Sequence, residues 1–235
     1  MKHAGLSSKG KKRTTNEDRF FIKQTDPETV LMAVADGLGG QPSGHIAAQT
    51  AVDDIKAFKP GSDLAEKGLL ILLTAIDKHV ERLSKSDPEL AYMGTTLTLA
   101  SVRDNVLFWA HVGDTRLYHL RNDTLVQRTT DQTMAQFLVD EGEITKEEAL
   151  THPMQNLLDQ SIGSGDCEPE TGFFSLTAGD MVLLCSDGLY SKLTAEEIKN
   201  QLVLSRSLQE TIDLLIKSAV IAGAEDDITV VAMAY

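Results

Sequence analysis

Cysteine is almost missing from this sequence: Cys167 and Cys185 are the two in 235 residues. Two isolated thiols make neither a disulfide framework nor a zinc site. Cys185 ends the apolar run that starts at Met181, which reads as a buried thiol. Aromatic residues are 5% of the chain, with one tryptophan, so the core must be Leu, Ile, Val, Ala and Met. Basic charge is also scarce. Twenty-two Lys and Arg stand against 35 Asp and Glu, a formal net charge of -13. A protein that grips nucleic acid carries a basic face, and an anionic membrane surface attracts basic segments; the charge excludes both as expected partners. Long apolar runs are missing too. The longest, Gly68 to Ile76, cannot span a bilayer. No apolar stretch of signal-peptide length follows the basic Lys9 to Arg13. The expectation is a reduced, cytoplasmic protein.

What is present is ordinary globular composition, 42% hydrophobic and 24% charged. A chain of this length buries roughly 70–75% of its unfolded surface and needs no structural metal for a core. No repeat and no Pro- or Ser-rich linker divides it, so a single domain over residues 1–235 is expected. Strands are expected at 18–23 and 30–35, then helices at 43–58 and 62–84. The second helix carries Leu64, Leu69, Leu72, Leu73, Ile76 and Val80 at the 3.6-residue period, with Ser62 and Asp63 as caps. Strands return at 94–102 and 106–112. Segments 116–120 and 124–128 form a hairpin around Asn122-Asp123. Short helices at 133–141 and 145–151 lead to strands at 173–176 and 181–185. Two helices, 195–204 and 208–221, and a strand, 228–235, close the chain. The order lacks the strand–helix alternation of a parallel sheet. It suits antiparallel sheets packed together with helix pairs outside.

Acids gather where these strands stop. Asp36 follows Val30 to Ala35 and precedes Gly37; Asp187 follows the run that ends in Cys185-Ser186 and precedes Gly188. Asp114 follows Val112-Gly113, Asp226 and Asp227 precede the last strand, and Glu17 and Asp18 precede the first long one. Turn chemistry accounts for any one of them, since Asp-Gly is a common turn dipeptide. It does not account for the set, because no partner strand follows two residues after Asp36-Gly37 or Asp187-Gly188. Carboxylates converging from several strands repel unless a cation sits among them. Hard oxygen donors without Cys or paired His favour Mg²⁺ or Mn²⁺ over zinc. Paired metals about 3.5–4 Å apart activate water against phosphate esters. Arg13, four residues before Glu17, reaches the same end of the sheet, and a guanidinium matches phosphate oxygens. A solvated basic run with Lys9, Lys11 and Lys12 is the plain alternative for it.

Arg13-Thr-Thr-Asn-Glu17-Asp18, Val34-Ala-Asp36-Gly37-Leu-Gly-Gly40, Gly94-Thr-Thr96, Val112-Gly-Asp114-Thr-Arg116, Ser186-Asp187-Gly188 and Asp226-Asp-Ile-Thr229 occur in that order. In residues and spacing the chain resembles the metal-dependent type 2C (PPM) serine/threonine protein phosphatases, from Leu6 to the last strand. Residues 142–163 are similar to the flap of the short bacterial members, a flap expected around 131–165. The resemblance implies an α+β fold, a four-layer α-β-β-α sandwich of two antiparallel sheets, with a cleft at one end. It implies that Asp36 bridges two metals and that Asp187 and Asp226 complete the first site. Glu17 and the carbonyl of Gly37 serve the second, and Asp114 holds a third, weaker metal. Arg13 would hold the substrate phosphate, and Asp18 would support the ligands from behind. The reaction implied is hydrolysis of phosphoserine or phosphothreonine in proteins by a metal-activated water, with two to three Mn²⁺ or Mg²⁺ ions and no phosphoenzyme. The partners implied are phosphoproteins and an opposing Ser/Thr kinase, and a monomer is the expected state. A non-catalytic module that binds phosphoproteins or kinases is the alternative reading of the same fold.

Several positions depart from that pattern. Gln41 stands where a family His is the usual candidate general acid, and Gln cannot donate a titrating proton. His45 and His111 are the replacements within reach in sequence, and the acid is left unassigned. Gln132 also replaces a usual His. Asp227 replaces a usual Asn, either tightening metal binding or pointing outward.

Overall fold

The computed structural model describes residues 1–26, 28–38, 43–58, 65–204 and 207–235. Ten strands form two five-stranded antiparallel sheets. The first has the order β1 (Lys2–Ser8), β10 (Ile228–Ala234), β9 (Met181–Cys185), β6 (Arg116–Arg121) and β7 (Thr124–Gln127). The second has the order β2 (Arg19–Asp26), β3 (Thr29–Ala35), β4 (Leu97–Arg103), β5 (Val106–Val112) and β8 (Glu170–Ser175).

Both faces of the central strands are apolar, and this makes four layers. In β3 the period of two sends Val30, Met32 and Val34 toward the other sheet and Leu31, Ala33 and Ala35 toward the helices. The same alternation puts Val182 and Leu184 of β9, and Val231 and Met233 of β10, between the sheets. Helices α1 (Gly44–Ala57) and α2 (Glu66–Ser86) cover the outer face of the second sheet through Ala47, Ala51, Leu69, Leu73 and Ile76. On the first sheet, α5 (Asp187–Tyr190), α6 (Ala195–Leu204) and α7 (Leu208–Ile221) do the same through Leu189, Ile198, Ile212 and Leu215. Each fully buried Leu or Ile contributes about 1.5–3 kcal/mol of transfer free energy. The expected α-β-β-α sandwich is the fold. Among the described residues, no helix is long and apolar enough to cross a membrane.

Most expected elements lie where the sequence puts them, with ends moved by a few residues. The turn at Asn122-Asp123 has φ of 48° and 60°, the left-handed pair that a two-residue hairpin needs. Three differences bear on the site. Strand β1 is absent from the expectations: in Lys-His-Ala-Gly-Leu-Ser-Ser only Ala4 and Leu6 pack on the core, too short an alternation to read, and the strand is an edge strand paired with β10. Helix α5 was not anticipated either, since four residues give no period to read. Helix α2 starts at Glu66, and the caps proposed at Ser62 and Asp63, with Leu64, lie outside the described residues. Between β7 and β8 the chain forms α3 (Met134–Asp140) and α4 (Lys146–Ala149), the latter opened by a capping box from Thr145 and Glu148. The return of this segment is pinned to α2, where buried Asp77 accepts the backbone N–H of Gly163 (2.7 Å) and Gly165 (3.1 Å).

Candidate metal centre

The carboxylates arrive at one end of the sandwich from both sheets. Asp36 leaves the end of β3, where the segment Gly94-Thr95-Thr96 clamps its backbone. Asp36 N–H donates to Thr96 Oγ1 (3.0 Å), and its carbonyl accepts from Thr96 N (2.8 Å) and Thr95 Oγ1 (2.8 Å). Gly37 must be glycine, because a Cβ there would lie 2.5 Å from the backbone of Gly44. Asp187 opens α5 directly after β9. Ser186 before it donates to buried Asp18 (2.7 Å) and accepts from Thr229 N (2.9 Å), tying β9, β10 and the start of β2 together. Asp114 lies in the β5–β6 turn, where Tyr190 Oη donates to its carbonyl (2.9 Å) and lies 3.2 Å from its carboxylate.

Pairing of β1 with β10 explains how residues 9–13 reach the site. Gly10 packs so closely on Asp226 that a Cβ would lie 2.4 Å from its carbonyl carbon. Lys12 N donates to Glu225 O (3.2 Å). The guanidinium of Arg13 then forks onto Asp226, Nε to Oδ1 at 2.6 Å and Nη2 to Oδ2 at 2.7 Å, and Nη1 meets Glu17 at 3.2 Å. Asp226 holds the Arg13 guanidinium protonated beyond its already high ordinary pKa.

A cleft of about 400 Å³ is lined by Arg13, Asp36, Gly37, Asp114, Asp187 and Asp226. Glu17 is displaced from it and faces a neighbouring hollow with Arg13 and His45. Asp18 is buried behind the cleft with one oxygen unpartnered. The electrostatics are those of crowded acids. Burial in the cleft and the charges of Asp18, Asp187, Asp114 and Asp226 push the Asp36 carboxyl well above its ordinary value. Burial, then the neighbouring acids, pushes Asp18 and Asp114 to about 7 and Asp187 to about 6. Burial raises Glu17 as well.

The donor chemistry fits hard divalent cations: carboxylate oxygens from four segments, no thiolate, and a buried oxygen of Asp187 with no hydrogen-bond partner. The cage is not closed. Among the described residues no three acidic, imidazole or thiol side chains meet as a ready-made metal shell. The positive charge in the lining of this cleft is that of Arg13.

The departures from the family pattern acquire structural roles. Asp227 neither faces the cleft nor points outward. It is 2% exposed, and its two oxygens accept the backbone N–H of Gly10 (2.8 Å) and Glu17 (2.7 Å). His111 is fully buried between Thr98 and the Thr130 carbonyl, and burial lowers its pKa to about 4; it is a core histidine. Gln132 caps Gly113 N at 2.8 Å. Gln41 lies outside the described residues.

The chain belongs to the protein phosphatase 2C family, whose model matches residues 7–225. It is 36% identical over 234 residues to the serine/threonine protein phosphatase PstP of Mycobacterium tuberculosis, covering 98% of this chain and 44% of that protein. The chain therefore spans less than half the length of that relative. It is 35% identical over 231 residues to the serine/threonine phosphatase stp of Listeria welshimeri, covering 95% and 92%. The PstP catalytic domain, solved in complex with two manganese ions, superposes with a TM-score of 0.84 at 35% identity, covering 98% of this chain and 96% of that one.

Proposed function

We propose that this chain hydrolyses phosphoserine and phosphothreonine in proteins, opposing a bacterial Ser/Thr kinase. The observation that carries the reading is the cleft in which Asp36, Asp114, Asp187 and Asp226 face one another beside Arg13. Four carboxylates crowded into one cleft are a poor pocket for a dianion until their charge is offset. In this reading Asp36, Asp187 and Asp226 hold one divalent cation, and Asp36, Glu17 and the Gly37 carbonyl hold a second. Asp114 belongs to a third, weaker site. Mn²⁺ or Mg²⁺ bound there supplies positive charge against the phosphate and lowers the pKa of a bound water toward neutrality.

The chain's own residues do the rest. Arg13 releases Asp226 and turns its fork to the phosphate oxygens, whose geometry it matches as well as a carboxylate's. Asp18, through Ser186, fixes the strand end that carries Asp187. The Thr95-Thr96 clamp fixes Asp36. The PstP neighbour with two manganese ions supports the cation class. The named phosphatase relatives support the reaction class, and nothing in the structure favours a module without catalysis.

The test is release of inorganic phosphate from a phosphothreonine peptide with EDTA, Mg²⁺ or Mn²⁺. Turnover with either metal and none with EDTA supports the reading. A folded protein inactive with every metal overturns it.

A further inference from the structure

A groove larger than the acidic cleft lies beside it. It lies between the α3–α4 segment and α5, has a volume of about 860 Å³, and shares Asn156 with the 400 Å³ cleft, so the two are contiguous. Its charge is opposite to that of the chain. Three cations, Arg116, Lys146 and Lys192, and one acid, Asp131, line it in a protein of net charge -13. Arg116 is already used: it forks onto Asp131, with Nε at 2.9 Å, and stacks on the ring of Tyr190 at 3.5 Å. That leaves Lys146, which opens α4, and Lys192, just past α5. Both are exposed, and neither is within 4.0 Å of a described carboxylate. Leu150, 75% exposed, adds an apolar lip.

We propose that this groove binds an acidic stretch of the substrate polypeptide next to its phosphorylated residue, with Lys146 and Lys192 as the specificity-determining side chains. The inference rests on the phosphatase reading of the cleft. A phosphorylated side chain occupies the cleft, and the polypeptide that carries it must leave along a wall. Only a few extended residues, at about 3.3 Å each, are needed to cross from the cleft into the groove. There, two lysines not paired with any described carboxylate meet the chain. Asp, Glu or a second phosphorylated residue supplies the missing charge. The net charge of -13 disfavours such a peptide over the surface at large, so the groove favours one orientation as well as one sequence.

The test compares two phosphothreonine peptides that differ only in acidic or neutral flanks, together with para-nitrophenyl phosphate, which is too small to reach the groove. Wild type is compared with Lys146→Ala, Lys192→Ala and the double variant, all with Mn²⁺. An exposed ion pair is worth a few tenths to one kcal/mol, so each lysine gives about threefold and the pair about tenfold in kcat/KM for the acidic peptide. The effect falls on KM and fades at high salt. The double variant treats the two peptides alike and hydrolyses the aryl phosphate as wild type does. Equal use of both peptides by wild type, or a preference that survives in the double variant, overturns the proposal. Fluorescence anisotropy with unphosphorylated acidic and neutral peptides reads docking without turnover. If aryl phosphate is not hydrolysed with any metal, the phosphatase reading fails. A binding preference lost in the double variant then still supports the groove, and its absence overturns it.

Discussion

Replacing Arg13 by alanine should tighten the binding of Mn²⁺ while it weakens turnover. The two effects separate because Arg13 holds the carboxylate that a cation needs. Its Nε and Nη2 lie 2.6 and 2.7 Å from the two oxygens of Asp226, and Nη1 lies 3.2 Å from Glu17. Hydrogen bonds to a charged group are worth about 1.5–3 kcal/mol each when shielded. Here the side chains of Arg13 and Asp226 are 28% and 39% exposed. Solvent screening and the cost of ordering a long side chain reduce the whole arrangement to about 1–2 kcal/mol. A cation ligated by Asp226 must first displace the guanidinium, so Arg13→Ala removes that cost. The dissociation constant for Mn²⁺ should fall by about 5- to 30-fold, at 1.4 kcal/mol per factor of ten. Isothermal titration calorimetry without phosphate is the assay. Added inorganic phosphate supplies a second clause. It should tighten Mn²⁺ binding to the wild type, by drawing Arg13 away from Asp226, and leave the variant unaffected. Unchanged or weaker Mn²⁺ binding in Arg13→Ala would refute the reasoning.

Other consequences are as direct. Asp227→Ala leaves the N–H groups of Gly10 and Glu17 without their acceptor. It should cost about 3 kcal/mol, with Asp227→Asn losing about half of that because one oxygen remains. For a chain of this size, that is a fall of about 6–12 °C in the Tm of the metal-free alanine variant by circular dichroism; a Tm within about 2 °C of wild type would rule the clamp out. The pKa values of Asp18, Asp114, Asp187 and Asp36 are all raised by folding. The stability they contribute is therefore complete below the unfolded carboxylate value near about 4 and is lost as pH rises through about 6–7. In EDTA the Tm should fall between about pH 5 and pH 8, and saturating Mn²⁺ should remove the fall by ligating the deprotonated acids; a rise in EDTA would count against it. Gly188→Ala would set a Cβ 2.0 Å from the carbonyl of Asp227. Displacing that backbone should cost about 1–3 kcal/mol and weaken Mn²⁺ binding; unaltered metal affinity would show that the β9–β10 contact does not position the acids.

Much of this was legible in the sequence for a simple reason. Apolar residues on both faces of β3, β9 and β10 announce buried strands, and acids at their ends announce a cleft. Strand β1 was not legible, because an edge strand with Lys2, His3 and Ser7 owes its place to β10 and not to its own pattern. That hid how Arg13 reaches Asp226, a contact made across 213 residues of chain. The role of Asp227 was hidden for the same reason, since its partners are backbone groups from the other end of the sequence. The threonines of Gly94-Thr95-Thr96 belong to the family pattern, yet only the hydrogen bonds to Asp36 show what they do. The expectation for Glu17 was a place beside Asp36. The Glu17 carbonyl accepts the Gly37 N–H beside Asp36 (3.3 Å), while its side chain meets Arg13 and lines the neighbouring hollow, which two residues four apart on one strand entry could not reveal.

The central claim is that Asp36 organises the cation-dependent chemistry of the cleft. It is tested most directly by phosphate release from a phosphothreonine peptide by wild type and Asp36→Asn across a Mn²⁺ titration. The account predicts turnover by the wild type that rises with Mn²⁺ and vanishes in EDTA. It predicts none from a folded Asp36→Asn protein at any concentration. Turnover that survives EDTA, or an Asp36→Asn variant as active as the wild type, would contradict it.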